Sequence, residues 1–171
     1  SRAFETAPQA ATTRILVLED DPLVRALIVR NLTSQSYEVT ETVEGSETVR
    51  AYQDAKQSGR PYDLVILDLS IPNGMGGVRT MEKLRQYDPE VLAIVSSGYS
   101  DDPVMAKPAS YGFAAVLPKP YEPADMLRLI KTVLTVEDHA PVPAGGQHPR
   151  DQFGDMQVRH SDGLGIRTGR V

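Results

Sequence analysis

The chain has 171 residues, of which 40% are hydrophobic and 24% are charged, and this composition predicts a soluble domain with its own core. Its formal net charge of −5 argues against a surface that binds nucleic acid, because such a surface would normally be basic. Without cysteine the chain has no disulfide, no thiolate metal site and no cysteine nucleophile. No apolar run approaches the roughly 20 residues that cross a bilayer, and no signal-peptide pattern opens the chain, so we expect no direct membrane insertion.

Short apolar segments and amphipathic segments alternate after a small, polar leader at residues 1–13, which we expect to be flexible. The apolar segments have the composition of strands; they are residues 14–19, 63–68, 91–96 and 113–118. Residues 37–43 alternate between apolar and polar and are rich in β-forming residues, so they also predict a strand. The segments between and after them predict helices; they begin at Pro22 and continue with residues 44–58, 77–87, 101–111 and 123–136. In the first helix, Leu23, Leu27 and Leu32 recur at near-helical spacing.

The alternation of strands and helices determines the predicted fold class. Strands that are apolar on both faces and alternate with helices predict a parallel sheet that is covered by helices on each side. Five such units fill residues 14–136. We therefore predict an α/β fold, a three-layer, doubly wound sheet of five parallel strands.

The last part of the chain, residues 137–171, is rich in proline, glycine and scattered charges and has no hydrophobic periodicity. Such a composition cannot bury enough apolar surface to offset chain entropy, so we predict a disordered tail. All three histidines, His139, His148 and His160, lie in this tail. The predicted domain at residues 14–136 therefore has no histidine-dependent catalytic triad and no histidine-ligated metal.

Polar side chains stand at the carboxyl ends of the predicted strands, where the functional groups of a doubly wound sheet collect. The first strand ends in Glu19 and Asp20, and the third ends in Asp68. The fourth and fifth strands supply hydroxyl groups and a cation, namely Ser96, Ser97 and Lys119. Clustered carboxylates repel one another unless a cation lies among them, and Mg²⁺ prefers oxygen ligands that it shares with phosphate oxygens. The pattern indicates a site for a hard cation and an oxyanion.

Four short motifs follow in order along the chain; they are LEDDP at 18–22, VILDLSIPNGMGG at 65–77, VSSGYS at 95–100 and LPKP at 117–120. Each motif alone is weakly specific, but their order and spacing together resemble the receiver domain of two-component response regulators. The resemblance implies a flavodoxin-like sheet with strand order 2-1-3-4-5. It also implies that an aspartate accepts a phosphoryl group from a phosphohistidine and that phosphorylation switches the domain.

The resemblance assigns roles to the acidic residues. Asp68 corresponds to the phosphoacceptor. Glu19 and Asp20 correspond to the acidic pair that holds Mg²⁺ or Mn²⁺, with Asp20 as a direct ligand and Glu19 acting through water. Asp68 itself and the backbone carbonyl of Ser70 complete the implied ligand set. The glycines of the loop after Asp68 would let its backbone approach the metal and the phosphate.

The resemblance also assigns the switch. Ser97 corresponds to the switch hydroxyl, and Lys119 to the cation that pairs with the phosphoryl group, followed by a cis bond to Pro120. The sequence departs from the family at Val116, where the family has an aromatic residue on the fifth strand. The aromatic part of the switch would then be missing or be supplied by Tyr99 or Tyr111. A second departure is Pro108, which should kink or shorten the fourth helix.

Other functions are compatible with parts of the pattern. An aspartyl-phosphate phosphatase of the haloacid dehalogenase type would need a second acid two residues after the nucleophile, and Ser70 stands there instead. A binding module that has lost phosphorylation would not need every charged residue of the site. A flavodoxin-like cofactor binder shares the architecture but has no residue-specific support. We therefore expect a signalling module, not a conventional enzyme, that assists its own phosphorylation and dephosphorylation.

The sequences SSGYSDDPVMA and YGFAAVLPKPY are most similar to those of receivers at the C-terminus of hybrid sensor histidine kinases. The start at Ser1 favours an excised fragment. A stand-alone response regulator is the alternative. The resemblance implies a histidine kinase or a histidine phosphotransfer protein as the partner, and no nucleic-acid partner is expected. It also implies a cytoplasmic location, although a parent kinase could be anchored in the membrane. Homodimerisation through the fourth helix, fifth strand and fifth helix is a further hypothesis.

Overall fold

The computed structural model describes residues 11–138 as alternating strands and helices. The strands are β1 (Arg14–Leu18), β2 (Glu38–Thr42), β3 (Leu64–Asp68), β4 (Ala93–Ser97) and β5 (Ala115–Pro118). The helices are α1 (Pro22–Ser34), α2 (Gly45–Gln57), α3 (Gly77–Tyr87), α4 (Pro103–Ala106) and α5 (Pro123–Asp138), with a 3-10 turn at Pro108–Tyr111. Most of the predicted leader, and the predicted tail from residue 139, lie outside the described residues, so their flexibility stays a prediction.

The five strands form one parallel sheet in the order β2-β1-β3-β4-β5, which confirms the predicted topology. Leu18 at the end of β1 lies opposite Leu67, and Asp68 at the end of β3 lies opposite Ser96. At the end of β4, Ser97 lies opposite Pro118 of β5. This register aligns the carboxyl ends of the strands at one edge of the sheet.

Two hydrophobic cores lie on opposite faces of the sheet, because successive residues of a strand point to opposite sides. One core packs α2 and α3 on the sheet; its fully buried members include Leu16, Leu18, Leu67, Met81 and Leu84. The other packs α1 and α5; its fully buried members include Ile15, Ile66, Leu32, Met126 and Ile130. Full burial of one such side chain contributes about 1.5–3 kcal/mol to the stability of the folded state. Because each core contains several of them, the two cores together hold the strands, and so the strand ends, in place.

Helix α1 begins where the sequence predicts but buries a different face. The carboxylate of Asp21 accepts hydrogen bonds from the amides of Leu23 (2.8 Å) and Val24 (3.1 Å), so Asp21 caps the helix that Pro22 begins. Of the three leucines at helical spacing, Leu32 is buried, whereas Leu23 is 81% exposed and Leu27 is 54% exposed. The spacing identified the helix, but two of its leucines face solvent.

The fourth helix is much shorter than the predicted span 101–111, and that prediction was wrong in length. Asp102 caps a single turn, Pro103–Ala106, and the chain leaves the helical conformation at Lys107. Pro108 cannot donate an amide to this helix, and it begins the separate 3-10 turn instead. The predicted effect of Pro108 is thereby confirmed. No helix among residues 11–138 is both long enough and apolar enough to cross a bilayer.

Candidate functional site

Three carboxylates meet at the carboxyl edge of the sheet. Glu19 and Asp20 follow β1, and Asp68 ends β3; each offers an oxygen, and the three oxygens lie within 4.8 Å of one another. Glu19 and Asp68 are buried, with 2% and 5% of their surface exposed, while Asp20 is half-buried. Three hard oxygen donors at this spacing suit a small divalent cation, because Mg²⁺ takes one or two carboxylates and keeps several waters.

A lysine neutralises the cluster. The Nζ atom of Lys119 lies 2.6 Å from Oε2 of Glu19 and 3.4 Å from Oδ2 of Asp68. The strand β5 delivers this side chain, since the backbone amide of Lys119 donates to the carbonyl of Ser97 (2.8 Å) just beyond the end of the sheet. The bond from Lys119 to Pro120 is cis, as the family resemblance implies. Sequence positions 100 residues apart are thus in direct contact.

The electrostatics of this pair follow from its burial. Burial raises the pKa of Glu19 by disfavouring its charged form, the hydrogen bond from Lys119 opposes this, and the charge of Asp68 raises the pKa further. Burial alone would lower the pKa of Lys119, but the hydrogen bond to Glu19 and the charges of Asp68 and Glu19 together raise it. Lys119 is therefore firmly protonated and provides the positive charge that the acids require.

The two serines at the end of β4 have different partners. The hydroxyl of Ser96 donates to the carbonyl of Leu117 (3.0 Å) and so ties β4 to β5. The hydroxyl oxygen of Ser97 accepts from the amide of Tyr99 (3.0 Å) at the start of the following loop. Both side chains are buried. Ser97 thus connects the strand end beside Asp68 to the β4–α4 loop.

The loop after Asp68 folds back onto the end of its own strand. A Cβ atom at Gly76 would lie 2.7 Å from the carbonyl oxygen of Leu69, and one at Gly77 would lie 2.7 Å from that of Asp68. Larger residues cannot take these positions without moving the backbone, which explains the glycines there. The amide of Ser70 approaches Oδ1 of Asp68 at 3.3 Å, so Ser70 is close to the carboxylate cluster.

Sequence reasoning missed two residues beside the site. Arg25 of α1 donates from Nη1 to the carbonyls of Glu19 (3.0 Å) and Asp20 (3.2 Å), and so supports the backbone that carries the acids. The hydroxyl of Tyr121 is buried and has no hydrogen-bond partner among residues 11–138. Burial, with the charges of Glu19 and Asp68, raises its pKa to about 12. The basic residue one turn into α1 was a readable signal for Arg25, whereas no sequence signal marked Tyr121.

The two tyrosines considered for the aromatic part of the switch are both exposed. Tyr99 has 69% of its surface exposed, and Tyr111 also lies at the surface. Val116 on β5 is half-buried and packs at the edge of the core formed with α2 and α3. In this conformation neither tyrosine is packed inward next to Val116.

An apolar groove adjoins the site. Its volume is about 480 Å³, and its lining includes Leu27 and Ile28 of α1 together with Lys119, Pro120 and Tyr121. Lys119 therefore contacts the carboxylates and also borders the groove. The exposed leucine side chains of α1 extend this apolar surface from the groove toward solvent.

The comparisons agree with this geometry. Residues 15–131 match the family described as the response regulator receiver domain, and the chain belongs to that family. The chemotaxis protein CheY of Treponema pallidum is 30% identical over 128 residues, which cover 74% of this chain and 86% of CheY. A CheY-like receiver domain protein of Methanospirillum hungatei superimposes with a TM-score of 0.65 at 26% identity, covering 75% of this chain and 98% of that one.

A longer relative is also similar. The sensor kinase CckA of Brucella abortus is 30% identical over 132 residues, which cover 75% of this chain but only 13% of the kinase. The similarity to that kinase is thus confined to a receiver-sized segment.

Proposed function

We propose that this receiver domain accepts a phosphoryl group on Asp68 in a Mg²⁺-dependent reaction with a phosphohistidine. The observation that carries the proposal is that Glu19, Asp20, Asp68 and Lys119 meet at one edge of the sheet. The carboxylate oxygens lie close together, and the ammonium group of Lys119 contacts two of the three carboxylates. A transferred phosphoryl group needs in-line positioning and neutralisation of its equatorial oxygens more than it needs acid–base chemistry. Asp68 would supply the attacking oxygen, and Lys119 together with a cation held by the acids would supply the neutralising charge.

The donor set fits Mg²⁺ or Mn²⁺, because it consists of oxygens alone. Glu19, Asp20, Asp68 and the backbone carbonyl of Ser70 would hold the ion, and Glu19 would act through a water molecule. The bound cation would supply positive charge to the phosphoryl oxygens. Lys119 now pairs with Glu19, so cation binding would free its ammonium group to pair with the phosphoryl group beside Asp68.

The bonds that form and break in the transfer step belong to Asp68 and the donor. An oxygen of the Asp68 carboxylate forms a bond to phosphorus while the bond from phosphorus to the donor imidazole nitrogen breaks, and the electron pair stays on that nitrogen. Lys119 neutralises charge on the acyl phosphate. Ser97 then turns its hydroxyl toward the new oxygens and draws the β4–α4 loop with it, because its oxygen now holds the amide of Tyr99.

The proposal is tested by incubation of the protein with acetyl phosphate and Mg²⁺, followed by intact mass spectrometry. We expect the gain of one phosphoryl group, which is lost when EDTA replaces Mg²⁺. Failure of the wild-type protein to gain a phosphoryl group from acetyl phosphate or phosphoramidate would contradict the proposal and favour a binding module that has lost phosphorylation. Release of phosphate from a wide range of small phosphate esters would favour the phosphatase.

The apolar groove beside the site supports a protein as phosphodonor. A patch of exposed leucines next to a polar rim is typical of a protein interaction site. Leu27 lines the groove that Lys119 borders, and the exposed Leu23 precedes it by one helical turn. We propose that the histidine kinase or histidine phosphotransfer protein docks there and presents its phosphohistidine to Asp68. The family's cytoplasmic phosphotransfer chemistry favours a cytoplasmic location.

Leu27→Asp should separate docking from chemistry. We expect phosphotransfer from a phosphorylated histidine kinase that labels the wild-type domain to slow by about tenfold or more, because a charge would enter the apolar contact. Labelling by acetyl phosphate should be unchanged, since Leu27 does not contact the carboxylates. Val136→Asp, which alters another exposed apolar residue, is the matched control. Equal transfer rates in both variants would place the donor elsewhere.

Tyr99→Ala tests control of the phosphoryl lifetime. Tyr99 follows Ser97 closely and has a large exposed side chain, which by analogy with the family would limit the approach of water to a phosphoryl group on Asp68. We expect the acyl phosphate to decay severalfold faster in the variant, measured by loss of the phosphorylated mass after removal of the donor. Tyr111→Ala should decay at the wild-type rate. An unchanged rate in Tyr99→Ala would exclude this role.

For the setting, we propose a receiver from a hybrid sensor histidine kinase. The similarity to CckA and the sequences of the motifs support this assignment. A stand-alone regulator is the alternative, and the similarity to CheY supports it. Homodimerisation through α4, β5 and α5 also remains a proposal. Analytical ultracentrifugation of the protein with and without phosphorylation tests whether it forms this homodimer.

A further inference from the structure

The loop at residues 69–76 needs support beyond its ends. It joins β3 to α3 and carries Ser70, whose carbonyl is a proposed metal ligand. Backbone hydrogen bonds hold its two ends, from the amide of Leu69 to the carbonyl of Ser96 (2.8 Å) and from the amide of Gly77 to the carbonyl of Leu69 (3.3 Å). At the tip, residues 71–75, the hydroxyl of Thr80 in α3 reaches the carbonyl of Met75 only at a long 3.5 Å, so a further link to a different element would hold the tip more firmly.

Glu44 supplies that link. Its Oε1 accepts a hydrogen bond from the amide of Met75 (2.9 Å) at the end of the loop tip. Its Oε2 accepts from the amide of Ser46 (2.8 Å) and from the hydroxyl of Ser46, which caps α2. One carboxylate therefore joins the start of α2 to the loop that follows Asp68.

The backbone of Glu44 is itself well anchored. Its carbonyl accepts from the amide of Thr48 (3.1 Å), which leaves the Thr48 hydroxyl free to donate to that of Thr42. The hydroxyls of Thr48 and Thr42 lie 2.7 Å apart, and that of Thr42 donates to the carbonyl of Val17 (3.0 Å). Both threonines are buried. A continuous series of hydrogen bonds thus connects Glu44 to β1, two residues before Glu19.

The start of α2 and the loop at residues 69–76 are also in close contact, and the contact includes the charged carboxylate of Glu44. A Cβ atom at Gly45 would lie 2.5 Å from the carbonyl oxygen of Met75, so the start of α2 packs directly on the loop. The hydrogen bonds from the hydroxyl of Ser46 and the amide of Met75 lower the pKa of Glu44, so its carboxylate is ionised at neutral pH and a strong acceptor.

We propose that Glu44 is a positioning residue for the phosphorylation site: its hydrogen bond to the Met75 amide fixes the loop that presents the Ser70 carbonyl. The inference rests on the proposed function. A loop that is held before the cation arrives loses less conformational freedom on binding, so the cation binds more tightly and the phosphoryl acceptor is better oriented.

Two substitutions separate reach from charge. Glu44→Asp keeps the negative charge and a good helix cap but is one methylene too short to hold Met75. Glu44→Gln keeps the reach but loses the charge and one acceptor oxygen, so it can accept from Met75 or from Ser46 but not from both. Glu47→Asp is the matched control, because Glu47 lies in the same first turn and accepts only from the amide of Val43 (3.0 Å), away from the loop.

We expect Glu44→Asp to bind Mg²⁺ about tenfold more weakly by titration calorimetry, as for other residues that orient metal ligands. Hydrogen exchange of the metal-free protein should become faster at residues 69–76, and labelling by acetyl phosphate should slow. Glu47→Asp should stay within about twofold of wild type in each measurement, since an unrelated cap leaves the loop in place. Glu44→Gln should lose less Mg²⁺ affinity than Glu44→Asp, because it retains the reach to the Met75 amide with one acceptor oxygen.

Two results would overturn the inference. If Glu44→Asp matches Glu47→Asp in Mg²⁺ affinity and in exchange at residues 69–76, Glu44 does not hold the loop. If Glu44→Gln loses more Mg²⁺ affinity than Glu44→Asp, which keeps the charge, the charge acts at a distance and the reach to Met75 is unimportant. Failure of the wild-type protein to accept a phosphoryl group would contradict the proposed function instead, while the exchange comparison would still test Glu44.

Discussion

Asp68→Asn should gain no phosphoryl group from acetyl phosphate and Mg²⁺, whereas the wild-type protein should gain one. An amide oxygen is a poor nucleophile and carries no charge, so it can neither attack phosphorus nor attract the cation and Lys119. The substitution preserves shape at a site that is 5% exposed, so the fold should be retained. Intact mass spectrometry after incubation gives the result directly, and circular dichroism checks the fold.

Asp63→Asn is the control for the loss of an aspartate. Asp63 precedes β3 at the opposite edge of the sheet, where it accepts from the amide of Arg14 (2.7 Å). This variant should gain a phosphoryl group as the wild type does. A phosphoryl group that persists in Asp68→Asn would show that another residue is the acceptor.

Lys119→Met should have opposite effects on two properties. The rate of phosphoryl uptake should fall by about 10² to 10³, the usual effect of removing one group that stabilises developing charge. The affinity for Mg²⁺ should rise, because Lys119 now occupies Glu19 at 2.6 Å and lies 3.4 Å from Asp68, and its removal leaves three carboxylates without a competing cation. Calorimetry and the time course of labelling measure the two effects.

Lys131→Met, on the exposed surface of α5, should change neither property. A weaker affinity for Mg²⁺ in Lys119→Met would mean that Lys119 supports the cation site and does not compete with the cation. An unchanged rate of uptake would remove Lys119 from the charge-neutralising role.

The position of the carboxylates could be predicted from the sequence because it depends on topology alone. Continuous apolar runs predicted buried parallel strands, and parallel strands place their carboxyl ends at one edge. Glu19, Asp68 and Lys119 follow three such runs, so their meeting needed no knowledge of side-chain packing. The structure brings together all three.

Contacts that depend on packing could not be predicted in the same way. Leu23 and Leu27 have helical spacing, but which face of α1 is buried depends on how the helix lies on the sheet. The pairing of Glu44 with Met75 joins residues 31 positions apart, neither of which ends a strand. The buried hydroxyl of Tyr121 depends on the path of the chain after Pro120. Pro108 gave a usable signal, although it did not determine that α4 would keep a single turn.

The short α4 also affects the equilibrium between conformations. A helix of four residues has almost no internal hydrogen bonds of the i to i−4 type, so unravelling it sacrifices little, and the separate turn at Pro108–Tyr111 can move on its own. Val104 of α4 is buried in the core formed with α2 and α3, so alternative arrangements that keep this residue in place are close in free energy. A partner that binds one arrangement only a few kcal/mol better than another would shift most of the population to it.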